Sequence, residues 1–143
     1  MKELKDICIR PVRFSEIDMM TCVWHGSYVT YLEDGRESFG RHYPGIGYAD
    51  IRDSGIYAPV YDLHITYHAP LRLNDEVEIH TTYVPKIGAR LDFSYQIFRV
   101  SDKLLCAEAH TTQLFISPDG ELMTDEPAYY QQWKKNFCLA EEE

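Results

Sequence analysis

The sequence predicts an α+β fold in which one antiparallel sheet curls around one long helix. Three observations predict it. Within residues 14 to 43, Tyr28, Leu32, Gly35, Phe39 and Tyr43 recur at spacings of four, three, four and four, which places them on one face of a helix. After that helix come four stretches that read as strands, 59 to 68, 76 to 84, 90 to 100 and 104 to 116, separated by turn signals; consecutive strands with hairpin-type connections pair antiparallel. A sheet that is apolar on one face has to cover it, and the helix stripe is the natural cover.

Taken in order, residues 4 to 14 read as a first strand carrying Ile7, Ile9 and Val12, with Pro11 indicating an edge position or a bulge. A loop over 15 to 24 leads into the helix, expected from about 26 to 43 and stopped by Pro44 and Gly45. Residues 47 to 54 suit a short second helix ending at Gly55. In 59 to 68, Tyr61, Leu63, Ile65 and Tyr67 share a face. Val77, Ile79, Thr81 and Tyr83 do so in the next strand, and Leu91, Phe93, Tyr95 and Ile97 in the one after. Pro70 with Asn74-Asp75, Pro85 to Gly88, Ser101 to Lys103 and Ser117-Pro118-Asp119-Gly120 mark the breaks. A final helix is expected from Glu126 to Phe137, with Pro127 in its first turn, before a solvated acidic tail, Glu141 to Glu143.

The totals narrow the function. With 143 residues and neither repeats nor linkers, the chain is expected to form a single domain, 1 to 143. A net charge of −9 argues against nucleic acid as the main partner. The apolar runs are too short to span a bilayer. Lys2, Glu3, Lys5 and Asp6 interrupt any apolar leader, so the cytoplasm is the expected compartment. Cys8, Cys22, Cys106 and Cys138 form no C-x-x-C pair and read as free thiols. Cys22, in the loop, also has a reading as a nucleophile, though a small, partly buried residue is the simpler one. No histidine sits in a metal-binding spacing such as H-E-x-x-H, and neither metal nor cofactor is expected.

The helix start holds the chemistry. A helix N-terminus presents unpaired N–H groups and the positive end of its dipole, here around Trp24, His25 and Gly26. Asp18 lies in the loop just before. A carboxylate facing backbone donors can hydrolyse an activated ester: it attacks or activates water, and the donors hold the developing oxyanion. A thioester, with its electrophilic carbonyl, is a natural target. From these residues alone, a turn or capping role for Asp18 is the simpler reading.

The run FSEIDMMTCVWHGSYVTYLEDGRESF resembles the hotdog-fold acyl-CoA thioesterases of the 4-hydroxybenzoyl-CoA thioesterase-like type. The matching positions are Phe14, Glu16, Asp18, Val23, Trp24, His25, Gly26, Ser27 and Tyr28, then Leu32, Glu33 and Arg36. LHITYHAPLRLNDEVEIHT, with Pro70 and Asp75, resembles the family's later strand–turn–strand segment. The resemblance runs from about residue 7 to 135 and implies an acyl-CoA substrate and a homodimer or homotetramer joined by sheet edges. It assigns the catalytic carboxylate to Asp18, the backbone donor facing the carbonyl to Trp24, and a substrate-orienting or loop-holding role to His25. It implies Lys86 and Arg90 as binders of the coenzyme's phosphates. Thr21 stands where the family usually has glycine, which implies a different loop path, an altered pocket or weakened activity. A second thioesterase branch, with its acid on the helix, offers Asp34 instead of Asp18. Alternatives to an acyl-CoA thioesterase are an acyl-carrier-protein thioesterase, a noncatalytic acyl-CoA binding module and a hotdog hydratase. The last is disfavoured by the Asp18–His25 spacing and by the absence of proline between them.

Overall fold

The computed structural model describes residues 3–137; Lys2, Cys138 and the acidic tail lie outside them. The elements run β1 (Lys5–Pro11), two single 3-10 turns (Phe14–Glu16 and His25–Ser27), α1 (Tyr28–His42), α2 (Tyr48–Ser54), β2 (Val60–Tyr67), β3 (Glu76–Val84), β4 (Arg90–Arg99), β5 (Leu104–Leu114) and α3 (Ala128–Asn136). They form an α+β hotdog fold, with the antiparallel sheet wrapped on α1.

The sheet order is β1-β3-β4-β5-β2, every pair antiparallel. This corrects the expectation of four strands joined successively by tight turns. β3, β4 and β5 do follow as hairpins, but β2 pairs with β5 at the far edge, Ile65 opposite Ala109. The segment between β2 and β3 cannot turn back as a hairpin, because its backbone is bound elsewhere. The His68 and Ala69 N–H groups donate to the Cys106 carbonyl, and the fully buried Leu71 accepts from Val23 N–H at 2.8 Å. Arg72 bridges to Cys22. The chain is drawn across the end of the sheet and meets the loop before α1.

The inner face carries the residues that the strand alternation selects. Val77, Ile79, Thr81 and Tyr83 of β3 are buried, as are Leu91, Phe93, Tyr95 and Ile97 of β4. The helix stripe of Tyr28, Leu32, Gly35 and Phe39 packs against them. α1 lies against β1 and β3, and Gly35 permits the close approach: a Cβ there would collide with Thr81 Oγ1 and with Ile79. β2 is left outside this cover, so Tyr61, Leu63 and Tyr67 are 73%, 38% and 46% exposed. α3 closes the opposite end of the helix, where Trp133 is fully buried and donates from Nε1 to the Tyr43 carbonyl at 2.9 Å. No described helix is long and apolar enough to cross a membrane.

Candidate active site

The loop before α1 is closed by a bridge between Ile17 and Val23. Inside it, Asp18 N–H donates to the Cys22 carbonyl at 2.8 Å, and Thr21 N–H donates to the Asp18 carbonyl at 3.1 Å. Asp18 Oδ1 accepts from the N–H groups of Met20 at 2.8 Å and Cys22 at 3.3 Å. The local turn therefore fixes one carboxylate oxygen, while the side chain as a whole stays exposed. Thr21 sits at φ +63°, in the left-handed region. A β-branched residue thus holds a backbone conformation that glycine takes freely, at a cost of about 1–2 kcal/mol.

Glu16 ties this loop to the helix start. Its carbonyl oxygen accepts from Trp24 N–H at 2.9 Å and from Ser27 Oγ at 3.0 Å. Its buried carboxylate accepts from Arg13 N–H and Tyr31 Oη, both at 2.9 Å, and pairs with Arg10. Burial pushes the Glu16 carboxyl up, but the Arg13 N–H, the Arg10 guanidinium and the Tyr31 hydroxyl together outweigh it and hold the carboxyl below the ordinary range. Trp24 N–H is thereby spent inside the protomer, so it is not the donor that the family pattern led us to expect. His25 and Gly26 open the turn, where the first N–H groups have no intrahelical acceptor. The Trp24 indole lies over Gly26, where a Cβ would collide with the ring. From the edge of the sheet, Tyr67 Oη donates to the His25 carbonyl at 2.7 Å.

Asp18 lies in the loop closed by the Ile17–Val23 bridge, and Trp24, His25 and Gly26 follow directly at the turn before α1; the other candidates are engaged or placed elsewhere. Asp34 lies 3.1 Å from Arg10 Nε, paired in distance though not aligned as a hydrogen bond, and is bound up with the protomer's own β1. Arg90 is clamped on the buried Asp92, with both contacts at 2.7 Å, and so is not free for a phosphate. Lys86 is exposed just beyond β3, at the end opposite the loop. The loop abuts the start of β3, where Val12 N–H donates to Asp75, so a strand of nine residues, about 27 Å, separates the two. The cation beside the loop is Arg72, whose Nη1 lies 3.1 Å from Cys22 Sγ. The structural role of Glu16 and the contact of Tyr67 had not been foreseen. Arg10 and Arg13, six and three residues before Glu16, were a usable sign of the first. Nothing local announces the second, since Tyr67 and His25 are 42 residues apart. Among the described residues no cluster of three or more His, Cys, Asp or Glu side chains is arranged to hold a metal ion.

Comparison with known proteins identifies the family. The family model for the thioesterase-like superfamily matches residues 12–133. A putative acyl-CoA thioesterase of Bacillus subtilis, YneP, is 30% identical over 93 residues, covering 65% of this chain and 67% of the relative. The acyl-CoA thioester hydrolase YbgC of Escherichia coli is 30% identical over 110 residues, covering 76% and 81%. Among solved structures, a DHNA-CoA thioesterase of Staphylococcus aureus superposes with a TM-score of 0.82 at 25% identity, over 96% of this chain and 94% of the other. The chain belongs to the thioesterase-like superfamily. It is a thioester hydrolase.

Proposed function

We propose that this protein hydrolyses the thioester of an acyl- or aroyl-CoA to the free acid and coenzyme A, with Asp18 as nucleophile or general base. The observation that carries the reading is the Glu16 tie, which sets the Asp18 loop against the helix start, where the first N–H groups, those of His25 and Gly26, have no intrahelical acceptor. In the reaction, an oxygen of Asp18, or of a water from which Asp18 takes a proton, bonds to the thioester carbon. The carbonyl oxygen becomes an oxyanion, and those N–H groups and the helix dipole stabilise it. Collapse breaks the C–S bond, the coenzyme leaves as thiolate and takes up a proton. An acyl–Asp18 anhydride, where one forms, is cleaved by water.

The rest of the proposal concerns surroundings. A homodimer formed by pairing β2 edges accounts for the exposed Tyr61, Leu63 and Tyr67 and would enclose the otherwise open Asp18 loop; a tetramer would join two such dimers through another surface. For the coenzyme's phosphates, the position of Arg72 supports it better than Lys86, and the Asp92 clamp argues against Arg90. We read residues 1 to 143 as one domain acting in the cytoplasm. The net charge of −9 favours coenzyme A over an acidic acyl carrier protein as the thiol carrier. The test is thiol release from short, long and aromatic acyl-CoAs and from acyl-carrier-protein substrates. Turnover of acyl-CoA is expected; turnover confined to the carrier-linked substrates would move the assignment. Binding of acyl-CoA without turnover would leave a binding module, with Thr21 as the residue to revert first.

A further inference from the structure

We infer that Tyr67 is a positioning residue for the oxyanion: its hydroxyl holds the His25–Gly26 peptide so that the Gly26 N–H faces the thioester carbonyl. This rests on the reading of the site given above. In a planar trans peptide the C=O and the following N–H point in opposite directions. A donor fixed on the His25 oxygen therefore fixes the direction of the Gly26 hydrogen. Tyr67 Oη makes that contact at 2.7 Å. A hydrogen bond on the carbonyl also polarises the amide, which strengthens its N–H as a donor.

Tyr67 is built to hold a position. It is the last residue of β2, opposite Ala107 of β5, and the two residues after it are bound to the Cys106 carbonyl. Its ring meets the buried Tyr28 ring edge-on, with centroids 4.9 Å apart at 84°. Glu16 already holds the turn on either side of this peptide, through Trp24 N–H and Ser27 Oγ. Tyr67 adds a side-chain hold on the peptide between them.

The test compares wild type, Tyr67→Phe and Asp18→Asn on the acyl-CoA that wild type cleaves fastest. Binding of two inert analogues is measured alongside: a CoA ketone, with CH2 in place of the thioester sulfur, and a CoA thioether that lacks the carbonyl. Tyr67→Phe is expected to lower kcat about tenfold, a part of the 10²–10³ that a whole oxyanion donor supplies, with KM changed less than about twofold. It should weaken the ketone several-fold and leave the thioether unchanged. A wild-type kcat in Tyr67→Phe, with Asp18→Asn inactive, would overturn the inference and leave the hydrolase reading standing. Equal weakening of both analogues would overturn it as well, because that is what general disturbance of the pocket produces. Wild type inactive on every acyl-CoA would remove the acyl-CoA reading and this inference together.

Discussion

Removing the charge from Glu16 would take from the buried Arg10 its closest partner and leave it only the less well aligned Asp34 carboxylate. Breaking one side of a buried pair costs on the order of 3 kcal/mol, so Glu16→Gln is expected to lower the denaturation midpoint and to loosen the loop that carries Asp18. The pH dependence follows from the lowered carboxyl. The stability Glu16 contributes is fully present above the ordinary carboxylate pKa and is lost as pH falls through the folded-state value. Thermal melts against pH should therefore show a shallower acid limb in Glu16→Gln than in wild type. Thr21→Gly should act in the other direction. It relieves the left-handed backbone at φ +63° and is expected to stabilise by about 1 kcal/mol in chemical denaturation. At this scale the sequence could supply the residues but not their bonds. Asp18 was singled out by the family resemblance and not by its spacing, from which a turn or capping role was the simpler reading, and the capture of Trp24 N–H by Glu16 depends on how a loop folds back, which no spacing encodes.

The elements were more legible than their neighbours. The period of Tyr28, Leu32, Gly35 and Phe39 is a local property, and it correctly chose the buried face of α1. Alternation in β3 and β4 likewise chose the buried faces. Alternation says which way a side chain points and nothing about which strand lies alongside, and so β2 was assigned the wrong neighbour. The determinant was the bound backbone of residues 68 to 73, a tertiary effect. Gly35 tests the packing of helix on sheet. Gly35→Ala would drive a methyl into Thr81 and Ile79, and an overpacked core of this kind loses roughly 1–3 kcal/mol despite alanine's better helix propensity. Urea unfolding measures this; a more stable Gly35→Ala would mean that α1 stands further from β3 than described.

For the whole molecule, the exposed β2 edge and the open Asp18 loop point to the same remedy, a second protomer. Leu63→Lys, on that edge, is expected to shift the protein to monomer in light scattering and to lower hydrolysis with it, since a charge on an edge strand opposes pairing. The central claim is that the reaction is run by the loop carboxylate and not by the one on the helix. It is tested most directly by kcat/KM on the best acyl-CoA for Asp18→Asn beside Asp34→Asn. The account predicts a fall of about 10²–10⁴ for Asp18→Asn, with the fold intact. Asp34→Asn, which touches only the pair with Arg10, should stay within a few-fold of wild type. Loss of activity in a folded Asp34→Asn, with Asp18→Asn near wild type, would contradict it and move the catalytic acid onto α1.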